Sequence, residues 1–372
     1  MMKYIVIGGG ILGASTTYHL AKLGADVTLI DRKDLGQATD AAAGIVCPWL
    51  SQRRNKAWYQ LVKNGARYYP ELVRELEDNG QTETGYKKVG ALSLHTDQEK
   101  LEKMVERAKK RRDDAPEIGD IELLSNEEAR EKFPPLDEKY GAVYVSGGAR
   151  VDGRAIRDAM IRAAEESGAR VVQGSAEILV ERNKVTGAKV ENEVFETDSV
   201  IDTSGAWAKQ LLDPLGIQFD VSLQRAQIVH LEMPNQEVND WPVVMPPNNG
   251  YLLSLSNNRI VAGATRTDEA GFDYRVTASG INEALNRALD VAPGLNESTF
   301  VETRIGFRPY TPGFLPVIGP VPHFDGLFVA NGLGASGLTS GPYLGSVMAD
   351  LVTGREVKLD ISAYDVSLAL KR

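Results

Sequence analysis

KYIVIGGGILGASTTYHL (Lys3–Leu20) lies at the start of the chain, and two readings compete for it. A basic residue, an apolar run and small residues could form an export signal. Such a signal needs an unbroken apolar core before its cleavage site. Here Gly8, Gly9 and Gly10 interrupt the run directly after Tyr4 to Ile7. Leu12, Thr16, Leu20 and Leu23 then recur at helical spacing, and a second strand, Asp26 to Ile30, ends in Asp31. The stretch is therefore read as strand, glycine turn, helix and strand. It carries Gly8-x-Gly10-x-x-Gly13, with an acid eighteen residues beyond Gly13. In this pattern Gly8 makes the tight turn and Gly10 admits a pyrophosphate to the backbone. Gly13 lets helix and strand pack closely, and Asp31 accepts from ribose hydroxyls. The helix N-terminus supplies unpaired N–H groups and a favourable dipole for the anion.

The rest of the chain restricts what such a site can belong to. At 372 residues it exceeds what one hydrophobic core usually fills, so two lobes are expected. Apolar residues at 42% and charged residues at 25% are those of an ordinary globular protein. A net charge of −9 argues against nucleic acid and against a polybasic membrane anchor. No apolar run approaches the roughly eighteen residues of a membrane span. One cysteine excludes an internal disulfide and suits the cytoplasm, and four scattered histidines show no metal-ligand spacing. The basic run Lys109 to Arg112, placed after Glu99, Glu102 and Glu106, reads as a solvated helix face.

Charged helical sequence is expected from Asp97 to Lys132, stopped by Pro134-Pro135. Past Gly148 a helix and a strand at Ala169 to Gln173 return, and β-like runs between Val221 and Ser256 suggest an antiparallel sheet. After Arg304 the pattern is again strand, glycine loop and helix. The fold class expected is α/β plus α+β. A discontinuous Rossmann-like dinucleotide-binding domain (residues 1–85, 150–219 and 304–372) carries an inserted antiparallel-sheet substrate domain (86–149 and 220–303).

Asp31 disfavours a 2′-phosphate, with Arg32 beside it slightly tempering this, which leaves NAD and FAD. Three features favour FAD. QATDAAAG (Gln37–Gly44) is a small-residue stretch through which a long cofactor can pass. SVIDTSGAWAKQLL (Ser199–Leu212) brings a second small-residue strand end, Ser204 and Gly205, to close over the pyrophosphate. GLFVANGLGASGLTSGPYLGSVMADLVTG (Gly326–Gly354) adds a third strand, glycine loop and helix, the helix expected to start near Thr339 to Gly341. Its N-terminus suits the edge of a flavin that becomes anionic on reduction.

With these blocks the chain resembles the D-amino-acid-oxidase-like family of FAD-dependent oxidoreductases, the glycine oxidase and sarcosine oxidase group. The resemblance runs nearly full length through the fingerprint with AAAG, RVDGRAI, DTSGAW, and GFRPYTPGFLPVIGP with its closing loop. It implies FAD contacts at Ile11, Leu12, Asp31, Arg32, Ala38, Thr39, Ala43, Gly44 and Ile45. It also implies an adenine contact at Ala176 and flavin contacts along Gly332, Leu333, Gly334, Ala335, Ser336, Gly337, Leu338 and Thr339. Arg308 stands where the family binds a substrate carboxylate, a task suited to a guanidinium fork, and Tyr251 where a tyrosine shares it.

Two departures stand out. Close glycine oxidases carry a second basic residue in the closing loop, where this chain has none; Arg266, Arg304, Arg53 or Arg54 could supply the charge. Asp40 replaces a small hydroxyl residue, and can pair with an arginine or face water. Cys47 is expected near the flavin as a buried, inert thiol. Relatives with a covalent flavin use a cysteine near the final block; none stands there, so the FAD is expected to be non-covalent. His19 is read as structural. The function implied is oxidation of a small amino acid or secondary amine (glycine, sarcosine or a D-amino acid) to an imine that hydrolyses. Electrons would pass to oxygen, or alternatively to a quinone or other carrier. An NAD-dependent dehydrogenase, and a flavin-binding assembly partner without turnover, are the rival classes. The oligomeric state stays open.

Overall fold

The computed structural model describes residues 2–371. Its first sheet has the order 317–320, 327–331, 199–202, 3–7, 26–31, 170–173. All neighbours are parallel except the edge strand Val317–Pro320. The opening strand Lys3–Ile7 lies inside this sheet and is apolar on both faces. Tyr4 and Val6 join the core formed with helices Ile11–Lys22 and Gly337–Val352. Ile5 and Ile7 pack instead with Ile178, Val185 and Phe195 of a small three-stranded sheet spanning 176–196. Covering both faces is what a parallel sheet requires, and it explains the continuous apolar run.

From the C-terminal end of Lys3–Ile7 the chain crosses through helix Ile11–Lys22 to Asp26–Asp31, while Ser199–Asp202 pairs on the other side. The glycine turn thus sits where strand order reverses, the crevice in which such sheets bind ligands. Helix Ile11–Lys22 packs tightly on the closing helix: a Cβ at Gly345 would stand 2.5 Å from the Ser15 Cβ, and Ser15 Oγ donates to the Pro342 carbonyl at 2.6 Å. The long helix Lys56–Asp78 crosses the start of the closing helix at Gly65, where a Cβ would lie 2.1 Å from the Thr339 carbonyl.

The second sheet has eight strands, in the order 299–310, 222–232, 259–263, 251–255, 243–245, 91–95, 141–145, 121–124. It is antiparallel except where Val243–Met245 lies parallel to Ala91–His95. Strand Thr299–Tyr310 is paired along its length with Ser222–Glu232, and so runs continuously across the boundary expected at residue 304. It ends against the first lobe, where Phe307 N–H donates to the Gly36 carbonyl at 2.9 Å.

Three local expectations are corrected. The charged run from Asp97 is not one helical stretch: helices Gln98–Arg112 and Asn126–Lys132 flank strand Ile121–Leu124. That strand is only four residues long and buries only Leu124 fully, and its state is decided by pairing with Gly141–Val145. Within the basic run, Arg111 turns inward. It donates to the carbonyls of Trp49 and Ser51 and lies 4.4 Å from the Tyr59 ring centre. The closing helix starts at Gly337, slightly earlier than expected, after a single 3₁₀ turn at Gly334–Ser336.

Candidate active site

A cleft of about 740 Å³ runs from the glycine turn to the second sheet. At its nucleotide end, Gly8 has φ +104°, and a Cβ there would lie 2.7 Å from the Thr203 carbonyl. A Cβ on Gly13 would stand 1.8 Å from the Gly8 carbonyl, so this glycine serves helix–strand packing from behind the wall. Gly10 differs. A Cβ there would meet only Thr39 Oγ1, at 3.4 Å, so no protein atom demands glycine, and the free space belongs to the cleft. Thr39 Oγ1 accepts from the Ile11 N–H at 2.9 Å, and no N-cap side chain covers the helix start. First-turn donors there remain open to an anion.

The Asp31 carboxylate accepts from the Gly9 N–H and, at 2.9 and 3.1 Å, from Gln37 Nε2. It is thereby aimed at the turn. Arg32 is held by Asp34 at 2.8 Å and Gln210 at 3.3 Å. Thr203 Oγ1 donates to the carbonyls of Ile7 (3.0 Å) and Gly8 (2.8 Å), tying the second strand end to the first. Glycines, an oriented acid and uncapped helix ends together fit a dinucleotide.

Of the expected cofactor residues, Gly8, Gly10, Ile11, Leu12, Asp31, Arg32, Ala38, Thr39, Ala43, Gly44, Ile45, Ala176, Ser204 and Gly205 line this cleft, as does the whole loop from Gly332 to Thr339. Gly13 lies behind the wall. Sequence reasoning missed Gly9, Asp34, Gln37, Ser175, Trp207 and Gln210, which also line it. Gln37 was within the quoted small-residue stretch, but its bond to Asp31 depends on how the loop folds back.

At the other end the second sheet forms the wall. Arg308 and Gln224 are directly opposed in register, and Tyr251 is opposed to Gly263. The Tyr251 hydroxyl would lie 2.5 Å from a Cβ at Gly263, so glycine makes its place. Arg308 Nη1 donates to Gln224 Oε1 at 3.3 Å, and Gln224 Nε2 donates to Asp268. Among the described residues no carboxylate lies within ion-pair distance of Arg308. Burial raises the Tyr251 hydroxyl above its ordinary value, with the Arg308 cation opposing. It therefore stays a neutral donor at working pH.

Of the arginines considered as a second charge, only Arg266 lines the cleft. Arg304 is paired with Glu302, and Arg53 donates to the Phe314 carbonyl while lying over Trp58. Arg54 is exposed elsewhere. Arg287 and Asn249, not singled out from sequence, do line it. Asp40 pairs with Arg157 and, at 3.6 Å, with Arg154, so it ties the small-residue loop to helix Gly153–Glu166. His19 is half-buried, Nε2 bonding the Tyr68 hydroxyl at 2.6 Å. Cys47 borders the cleft but is buried, which pushes its thiol up to about 12. It should resist a thiol reagent at pH 8 in the folded protein and react once denaturant is added. Immediate stoichiometric modification of native protein would contradict this.

Fold and cleft together define a dinucleotide-binding protein whose cleft has a second wall bearing Arg308. Residues 3–351 match the model of the FAD dependent oxidoreductase (DAO) family, and the chain belongs to that family. It is 59% identical over 371 residues, 100% of both chains, to the uncharacterized oxidoreductase YurR of Bacillus subtilis. Among solved structures it is similar to iminodiacetate oxidase from Chelativorans sp. BNC1. That match has a TM-score of 0.94 and 44% identity, and covers 97% of this chain and 98% of that one. It is also similar to glycine oxidase from Geobacillus kaustophilus. There the TM-score is 0.86 and the identity 28%, with 98% of this chain and 99% of that one covered. The protein is thus an FAD-dependent, glycine oxidase-like enzyme, and FAD rather than NAD is its cofactor. No helix among the described residues is long and apolar enough to cross a membrane.

Proposed function

We propose that the chain oxidises a small amino acid or secondary amine at the carbon bearing its carboxylate, with non-covalent FAD, and that oxygen reoxidises the flavin to give hydrogen peroxide. The observation that carries this reading is Arg308: a guanidinium on the cleft wall, bonded to a neutral amide and, among the described residues, without a carboxylate partner. FAD, when bound, supplies the acceptor for the substrate's Cα hydride. The protein's part is to hold the substrate still. Arg308 grips the carboxylate by charge-assisted bonds, and the Tyr251 hydroxyl donates a further one. The imine so formed leaves to be hydrolysed by water. Leu338 and Thr339, in the first turn of helix Gly337–Val352, border the cleft, and that helix has no side-chain cap. Its free N–H groups favour negative charge there by about 0.3–2 kcal/mol from the dipole alone.

The test is anaerobic mixing of the yellow protein with glycine, sarcosine, D-alanine and D-proline. At least one should bleach the flavin, and none doing so would overturn the reading. Sulfite should also bleach it, through the charge stabilisation just described; an unchanged spectrum would remove that argument. In air, peroxide should form close to one per substrate consumed. Turnover with an artificial acceptor but no peroxide would make the protein a dehydrogenase. Acid precipitation should leave FAD in the supernatant, and flavin on the pellet would mean a covalent link.

A further inference from the structure

We infer, on the basis of the function just proposed, that the preferred substrate is a dicarboxylic amine, whose second carboxylate is met by Arg266. A monocarboxylic amino acid needs one guanidinium, and Arg308 supplies it. Yet Arg266 and Arg287 line the same cleft. The only carboxylates on its wall, among the described residues, are Asp31 and Asp34 at the nucleotide end. The substrate end therefore presents three guanidinium groups, two of which have a carboxylate partner set off the wall, Asp268 for Arg266 and Glu283 for Arg287.

The two pairs differ in how firmly they hold. Arg266 and Asp268 are more than half exposed and 3.4 Å apart, a loose pair that water screens. Asp268 is also engaged by Gln224. Arg287 is the better satisfied of the two, paired with Glu283 at 2.8 Å one helical turn away and donating to the Ala264 carbonyl at 2.9 Å, so Arg266 is the more available cation. The backbone places Arg266 beside the strand that bears Gln224. Thr265 N–H donates to the Gln227 carbonyl at 3.0 Å, and Thr267 N–H to that of Arg225 at 2.9 Å. A run of side chains, Arg308 to Gln224 to Asp268 to Arg266, thus holds two guanidinium groups on one wall. Ala226 and Gly306, directly opposed in register, are small residues on the same cleft wall. One guanidinium fork suits a carboxylate, and a positive wall also favours the neutral amine that oxidation requires.

The test compares matched pairs, iminodiacetate with sarcosine and D-aspartate with D-alanine, by kcat/KM. In one pair at least, the dicarboxylate should be preferred by about ten-fold to a hundred-fold. Arg266→Met should bring that ratio down towards one, and Arg266→Lys should restore it in part. Monocarboxylates used as well as or better than their partners, or an undiminished ratio in Arg266→Met, would overturn the inference while leaving amine oxidation standing. A second readout needs no turnover: malonate should perturb the bound flavin's absorbance at lower concentration than acetate, and Arg266→Met should abolish the difference. If no amine is oxidised but this difference is found, the proposed reaction fails and the dianion site stands. Equal binding of malonate and acetate would sink the site itself.

Discussion

Arg308→Ala is expected to cut kcat/KM for the best amino acid by about 30-fold to a few thousand-fold while the protein stays yellow. Removing one partner from a buried charge pair costs about 2–5 kcal/mol, which sets that range. The side chain it leaves behind is not an orphaned ion, because Gln224 is neutral and keeps its bond to Asp268. Fold and FAD binding should therefore survive. Arg308→Lys should recover only part of the loss, since an ammonium lacks the planar fork. Tyr251→Phe should cost less, about 1.5–3 kcal/mol for one hydrogen bond to a charged group. An Arg308→Ala enzyme with wild-type kcat and KM would exclude Arg308 from the site.

The second large effect is expected from two glycines three residues apart. Gly10→Val should fold with near wild-type thermal stability and yet emerge colourless, because the new side chain projects into cleft space rather than protein. Gly13→Ala should fail differently. Its Cβ would stand 1.8 Å from the Gly8 carbonyl, so helix and strand must separate, at about 1–3 kcal/mol or more. Lowered melting temperature with FAD loss is the expected outcome. Flavin content measured beside the melting curve separates the two mechanisms. A fully yellow Gly10→Val protein would mean that the pyrophosphate does not pass that backbone.

The cofactor half of the site was legible because its logic is local. Gly8, Gly10, Gly13 and Asp31 lie within one strand–helix–strand unit, so their spacing along the chain nearly dictates their spacing in space. The junctions at Ser204 and Gly332 add strand ends of the same sheet, and each can be recognised from its own few residues. Arg308 and Tyr251 were reached only through resemblance, since an arginine after Gly-Phe and a tyrosine in a strand carry no local signature.

What the sequence determined by itself is thus the parallel sheet, the glycine crossover and the kind of ligand they hold. Short-range sterics and apolar patterning act within some thirty residues, whatever the rest of the chain does. Tertiary structure alone decided which side chains share the substrate wall. Gln224 orients Arg308 because two strands 84 residues apart pair in one register rather than the next, and a one-residue slip of either would turn its side chain to the other face. The same holds for Arg266 and Arg287, brought to one cleft from a strand end and a helix, and for Arg111, drawn inward by two carbonyls no nearby residue foretells. Strand Ile121–Leu124 exists because a neighbour offered its edge. Such choices depend on long-range pairing, whose free energy is spread over many contacts and written in no single stretch of the chain.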